Sequence, residues 1–294
     1  MQLTDPIIRA FRTDGVVMVA NVLSDQSLRK VVAGIEAWVD ERADELRAQG
    51  QISDAHRGAP FERRMALLHA QCPDMIAGLD IMHSRIPALF EFLHDEILLD
   101  AVESLIGPEI TCSPIQHLRA KMPAHLENGG NEMVPWHQDA GVTLEDADAT
   151  DIVTCWIPLV DASRANGCME VMPGARALGH LPHVSLGGTT IRPDLLPSIT
   201  PVAAECPRGG VVFLDKFTPH RGLPNTSDTV RWTLDLRFQR TGTSTGRPFH
   251  PAFPVRSRDA SLVRRDHADW CRRWCEALES SRGRQTHRLE AYVG

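Results

Sequence analysis

From residue 109 to residue 240 the chain repeats one pattern: a short run rich in Val, Ile, Thr, Trp and Phe, then a break of Gly, Pro, Asn or Asp. The runs are "EITCSPIQHLRAKMP", "MVPWHQD", "DIVTCWIPLV", "GCMEVMPG", "PVAAECPRGGVVFLD" and "VRWTLDLRFQR". Their β-branched and aromatic residues suit a pleated surface, and the breaks supply turns. So many short strands at close spacing predict a sandwich or barrel, a mainly β architecture.

Helical periodicity flanks this region. "GVVMVANV" at 15–22 is a strand candidate, and Ser24 is placed to cap the helix that follows. In that helix Leu28, Val31, Val32, Ile35, Trp38 and Val39 recur every three or four residues, as one buried stripe requires. "PALFEFLHDEILLDAVESLIG" at 87–107 continues in the same style until Gly107 and Pro108 stop it. A closing helix is expected at about 259–281, with Leu262, Trp270, Trp274, Ala277 and Leu278 on its buried side. With no repeat or linker in view, residues 1–294 are expected to form one domain: helices over about 1–107, sheets over about 108–240, then the last helix.

Composition narrows the function. A net charge of -7 without a basic block argues against a nucleic acid partner. The N-terminal segment lacks the features of a secretory signal, and no apolar run reaches membrane-spanning length. Seven cysteines without framework spacing suit a reducing compartment and free thiols. A cytoplasmic protein acting on a small molecule, with no membrane partner, is the expectation; oligomeric state is not encoded in any recognisable feature.

The chemistry-bearing residues begin with "VPWHQDAG", where His137 and Asp139 stand two apart. On a strand, positions i and i+2 share a face, so both side chains can reach one metal ion while Gln138 points along or away from the wall. Taken alone, the pair reads equally well as a turn histidine bonded to a nearby acid. Two ligands seldom hold a divalent ion firmly, so a third is needed. His220 fits, because it emerges where the apolar strand "VVFL" ends in a turn, whereas His56, His69, His83, His94, His180, His183, His267 and His287 read as surface or structural. Eleven residues beyond His220, Arg231 opens "RWTLDLRF", in which Trp232, Leu234, Leu236 and Phe238 form one face and Arg231, Thr233, Asp235 and Arg237 the other. A guanidinium on such a strand suits a forked carboxylate clamp. Cys271, Cys275 and His267 imitate a zinc site on the last helix, but without a second ligand pair they read as buried thiols.

Together "PWHQD", "WIPLVDASRANGCMEVMPG", "GGVVFLDKFTPHRGLPN" and "VRWTLDLRF" resemble the phytanoyl-CoA dioxygenase family of iron(II)- and 2-oxoglutarate-dependent oxygenases, and "FRTDGVVMVANVLS" resembles that family's opening segment. The motifs run in the same order and spacing from about Phe11 to Phe238. The resemblance implies a double-stranded β-helix, the cupin-like jelly roll, with flanking α-helices. It implies that His137, Asp139 and His220 hold Fe(II), that Arg231 pairs with the distal carboxylate of 2-oxoglutarate, and that Gln138, Trp156 and His117 touch this cosubstrate. It further implies an O2-dependent reaction that releases succinate and CO2 while hydroxylating an unactivated C–H bond of a small-molecule metabolite, with secondary metabolism as the expected setting. Related halogenases have a small residue at the carboxylate position, so Asp139 argues for oxygen insertion or desaturation.

Two departures stand out: Gly174, Ala175 and Arg176 replace a frequent Gly-Ser-His, and Gly222 replaces a hydroxyl residue found in some relatives. The N-terminal helices, the "HLENGGNEM" loop and "GHLPHVSLGGTTIRPDLLPSIT" are expected to wall the substrate pocket, with Arg119, Lys121 and Arg192 hinting at an anionic group. Two other classes remain open: a cupin-like metal enzyme that uses no keto acid, and a jelly-roll binding protein without catalysis.

Overall fold

The computed structural model describes residues 1–126 and 134–291, so most of the "HLENGGNEM" loop lies outside the described residues. Helices α1 (Asp5–Asp14), α2 (Asp25–Ala48), α3 (Phe61–Gln71), α4 (Ile81–Ser84), α5 (Pro87–Phe92) and α6 (Glu96–Ile106) precede most of the sheet, and α7 (His267–Ser280) follows it. The strands are β1 (Val16–Val19), β2 (Ile110–Lys121), β3 (Ile152–Pro158), β4 (Met169–Val171), β5 (His183–Ser185), β6 (Thr189–Ile191), β7 (Val202–Ala204), β8 (Val211–Asp215), β9 (His220–Gly222), β10 (Arg231–Arg240) and β11 (Phe253–Arg256).

Six strands form an antiparallel sheet in the order β1-β8-β3-β10-β2-β11, and β7-β4-β9 form a second, smaller one. β5 and β6 pair as a hairpin beside them. The architecture is a jelly roll of mostly antiparallel sheet with flanking helices, and among the described residues the sheet does not close into a barrel.

The central strands of the large sheet are buried on both faces, and the two faces differ. Trp232, Leu234, Leu236 and Phe238 of β10, with Val153, Cys155 and Ile157 of β3 and Phe213 of β8, join the core formed with the helices. The opposite residues Trp156, Val212 and Leu214 join Met169, Val171 and Ala204 in a smaller core between the sheets. Double burial explains the unbroken apolar run of β8, because both of its faces meet protein. On β10 the inward set is polar instead, which places Arg231, Thr233, Asp235 and Arg237 in the space between the sheets.

Local signals explain several boundaries. Ser24 caps α2 by accepting from the Ser27 N–H, and Leu28, Val31, Ile35 and Val39 are buried as the stripe requires, while Val32 and Trp38 are only partly so. The 87–107 segment is two helices, because Asp95 turns inward to accept from the Ile97 and Leu98 N–H groups and starts α6 afresh. β2 carries Pro114 within its span, and its pairing with β10 shifts register beyond Gln116, a bulge that tolerates the missing donor.

Three expectations need correction. "MVPWHQD" is not a strand over its described residues: it makes an isolated bridge at His137, and Asp139 opens a 3-10 turn through Val142. Pro135 has no N–H to offer a ladder. The last helix starts at His267, where Asp266 caps it, leaving Leu262 outside the helix and exposed. The sequence reading also passed over β5, β6, β9 and β11, each three or four residues long.

Candidate metal centre

His137 and His220 are joined through their backbones before their side chains meet. The His137 N–H donates to the His220 carbonyl at 3.0 Å and the His220 N–H donates back at 2.9 Å, which brings the ring centroids to 4.1 Å. Each ring turns Nδ1 to a backbone carbonyl, His137 to Pro135 at 2.9 Å and His220 to Thr218 at 3.0 Å. That bond fixes the tautomer and leaves Nε2 free as a ligand atom, the outer support expected of a metal-binding imidazole. Asp139 lies with Oδ1 3.9 Å from His220 Nε2, and the three side chains offer ligand atoms within 4.8 Å of one another. Among the described residues this is the single such cluster of three.

Electrostatics prepare the set for a cation. Burial pushes the His137 imidazole down to about 3, and the neighbouring His220 ring adds to this, so His137 is neutral near pH 7. Burial alone would raise the Asp139 carboxyl, but Arg237 and His220 outweigh it and hold the group well below the ordinary carboxylate range. Arg237 Nη2 donates to Asp139 Oδ1 at 2.5 Å and to Asp235 Oδ2 at 3.2 Å. Thr154 Oγ1 donates to Asp139 Oδ2. Each carboxylate oxygen still has a lone pair for a metal.

A cavity of about 570 Å³ opens over these residues. Its floor follows strand register: Lys121 faces Arg231, Arg119 faces Thr233 and His117 faces Asp235 across β2 and β10, while Trp156 faces Asp235 across β3. Arg231 is 6% exposed. Its Nη1 donates to Thr233 Oγ1 at 3.0 Å, its guanidinium lies 5.2 Å from the Trp156 ring, and its Nε has no partner. Burial lowers it to about 10. Among the described residues no carboxylate lies within ion-pair distance of it, so a buried cation faces the cavity without an anion. The expected pocket walls appear as Ile76, Leu79 and Asp80 from the N-terminal part and Gly187, Gly188 and Thr189 from the β5–β6 turn.

The structure therefore brings together His137, Asp139, His220, Arg231, Trp156 and His117 around one cavity. Gln138, for which the resemblance implied a cosubstrate contact, does not line this cavity. It is fully buried; its amide nitrogen donates to the Gly179 and Phe217 carbonyls and its oxygen accepts from the Leu181 N–H. The alternation that turns its two neighbours inward turns Gln138 outward, where it fastens a loop. Arg192 likewise turns from the cavity to Asp194 and Glu290.

Four contributors went unassigned in the sequence. Arg237 and Thr154 hold Asp139; the first shares the inward face of β10 with Arg231, and the second stands two residues before Trp156 on β3. Asp80 caps α4 and accepts from His117 Nδ1 at 2.7 Å, a contact across 37 residues that no local pattern announces. His183 is structural, as expected, yet its Nε2 accepts from the Gln138 N–H at 3.0 Å. Gly141 leaves room for that ring, since a Cβ there would stand 2.7 Å from it. Gly222, one of the departures, abuts Val134, with a Cβ-to-Cβ approach of 3.4 Å if a side chain were added.

Fold and side-chain set together define a class: jelly-roll proteins with two histidines and one carboxylate gathered at the mouth of the roll. The family model described as phytanoyl-CoA dioxygenase (PhyH) matches residues 11–233, and the chain belongs to that family. At this level it is an oxygenase of the non-haem iron and 2-oxoglutarate type. Among solved structures it is similar to the apo form of the non-haem monooxygenase ThoJ, at 21% identity and a TM-score of 0.63, over 94% of this chain and 98% of that one. The nickel complex of ThoJ is similar at 20% identity and 0.59, over 93% and 94%. EvdO2 from Micromonospora carbonacea var. aurantiaca, solved with 2-oxoglutarate, is similar at 19% and 0.51, over 90% and 98%. No curated protein matches the chain, and among the described residues no helix is long and apolar enough to cross a membrane.

Proposed function

We propose that the whole chain acts as one Fe(II)- and 2-oxoglutarate-dependent hydroxylase of a small-molecule C–H bond, with His137, Asp139 and His220 holding the iron. The donor set suits the ion: two neutral imidazoles and one carboxylate on one side leave open positions for a chelating keto acid and for oxygen. Bound iron and 2-oxoglutarate would supply the oxidising chemistry, O2 being consumed as the keto acid becomes succinate and CO2. The chain's own residues bind and orient. Arg231 receives the distal carboxylate, Trp156 and Thr233 fix the guanidinium, Arg237 and Thr154 aim Asp139, and the surrounding cavity holds the substrate near the metal.

The observation that carries this reading is Arg231, buried in the same cavity as the three ligands and lacking an anion. A cupin-like enzyme without a keto acid would have no use for that charge. Once Arg231 is assigned, the exposed guanidinium of Arg119 is a second cavity cation with no carboxylate in ion-pair contact among the described residues, Asp80 being shared with His117, which favours a substrate bearing an anionic group. The test is anaerobic reconstitution with iron and 2-oxoglutarate, followed by a metabolite screen for oxygen-dependent succinate. Succinate that rises with one acidic metabolite supports the reading. Iron binding with no dependence of any turnover on 2-oxoglutarate would overturn it.

A further inference from the structure

The loop that begins at Asp139 is held by residues outside the part of the chain that matches the family model, which ends at residue 233. Arg288, beyond α7, reaches it at three points. Its backbone N–H donates to the Gly141 carbonyl at 3.1 Å, and its Nη2 donates at 2.9 Å to the carbonyl of Ala140, the residue next to the ligand. Its guanidinium also forks onto both oxygens of Asp148 at 2.7 and 2.9 Å, farther along the same loop. From below, Lys216 Nζ donates to the carbonyls of Ala147, Asp148 and Thr150, while its own carbonyl accepts from the Ala140 N–H.

The same segment grips the other side of the ligand pair. The Glu290 N–H donates to the His183 carbonyl at 2.7 Å, and the His183 ring in turn accepts from the Gln138 N–H between the two ligands. The His183 ring also packs against Gly141. Residues 288 and 290 thus fasten the backbone on both sides of Asp139, directly and through His183.

We infer that Arg288 is a positioning residue of the metal centre: it fixes the loop carrying Asp139, so that metal affinity depends on a segment with no ligand in it. The inference rests on the metal reading given above. Partners that orient a ligand without touching the metal typically change affinity about 10- to 100-fold when removed. A forked guanidinium also cannot be replaced by an ammonium, which offers no planar pair of donors.

The test is a titration of metal-free, full-length protein with Mn(II), read as free Mn(II) by electron paramagnetic resonance, alongside a melting curve for each metal-free variant. Arg288→Ala should weaken Mn(II) binding about 10- to 100-fold, and Arg288→Lys should fall between it and the wild type. Arg256→Ala, which breaks a remote cluster with Glu96, Asp100 and Glu103, should lower the melting temperature and leave Mn(II) affinity within about twofold, the separation expected of independent sites. Unchanged affinity in Arg288→Ala would overturn the inference, as would an equal loss in Arg256→Ala for the same drop in melting temperature. If Arg288→Ala does not fold, Arg288→Lys decides by the same comparison. A wild type that binds no Mn(II) would overturn the metal reading itself, whereas a wild type that binds while remaining indifferent to Arg288 would remove only this inference.

Discussion

Replacing Arg231 by Met should move stability and cosubstrate affinity in opposite directions. The guanidinium is 6% exposed, and burial depresses it to about 10. At about 1.4 kcal/mol for each tenfold change, that corresponds to an environment roughly 3 kcal/mol less hospitable to the charge than water. The Trp156 ring at 5.2 Å returns about 1 to 2 kcal/mol, so removing the charge should leave the cosubstrate-free protein as stable as before or up to about 2 kcal/mol more so. Both folded and unfolded forms are charged at pH 7, so this difference carries no pH dependence there. Binding should change the other way: a dianion entering the variant loses a charged hydrogen bond worth about 1.5 to 3 kcal/mol and leaves its own carboxylate unpaired, a loss on the order of 100-fold or more. Calorimetric titration of 2-oxoglutarate into anaerobic Mn(II)-loaded protein, with a melting curve of the unloaded protein, measures both. Affinity within threefold of wild type would refute the reasoning, and so would a variant that melts much lower, since that would make Arg231 a structural residue.

Asp139→Ala should both release the metal and destabilise the fold, because it removes a ligand and takes from Arg237 a partner buried to 2% exposure. Breaking such a pair costs about 3 to 5 kcal/mol; a melting curve unchanged from wild type would count against the Asp139–Arg237 contact. Acid should also weaken the metal-free protein through His183, which burial and the nearby His180 lower to about 4. The unfolded chain takes up a proton near pH 6.5 that the folded chain refuses, so this stability is complete above about 6.5 and falls by up to about 3 kcal/mol as pH drops toward 4. Denaturant melts from pH 7 to 4.5 should show that slope, and His183→Gln, which keeps an acceptor for the Gln138 N–H, should reduce it by His183's share, leaving that of the likewise depressed His137. Finally, 2-oxoglutarate should bind the Mn(II)-loaded protein at least tenfold more tightly than the metal-free one, about 1.4 kcal/mol; equal affinities by calorimetry would show that the keto acid is not held by the metal.

What was legible in the sequence was whatever repeats with a short period or stands at a fixed step. The inward face of β10 is alternation read directly, and the helical stripe of α2 is its counterpart at the longer period. The step from His220 to Arg231 survives because one turn and one strand start separate them. What was not legible depends on long-range closure. Asp80 meets His117 only because α4 packs on β2, and Arg288 meets Ala140 only after the chain has rounded the whole roll. Gln138 shows the limit of the resemblance. The resemblance implied a cosubstrate contact for it, whereas strand alternation already points it along or away from the wall, and there three backbone partners consume its amide.

The polarity of β10 is the feature that ties fold to chemistry. An antiparallel strand between two layers ordinarily offers apolar side chains to both, as β8 does, but β10 buries Arg231 and Arg237 and half-buries Asp235 on one face. Such a face is tolerable only if its charges are met, and Arg237 is met twice, by Asp139 and by Asp235. Counting the four central groups, Arg231 and Arg237 against Asp139 and Asp235, the sum is zero, yet the distribution is uneven: both acids pair with Arg237, and Arg231 feels Asp235 only from beyond ion-pair distance. A divalent cation added at Asp139 and a dianion laid from it to Arg231 leave the sum at zero and repair the distribution. Neither does so alone, since the cation by itself places positive charge beside Arg237 and the dianion by itself meets Asp139. On the proposed reading the arrangement is matched to the pair of ligands together, which gives a physical reason for a buried arginine in the cavity that also holds two imidazoles and a carboxylate.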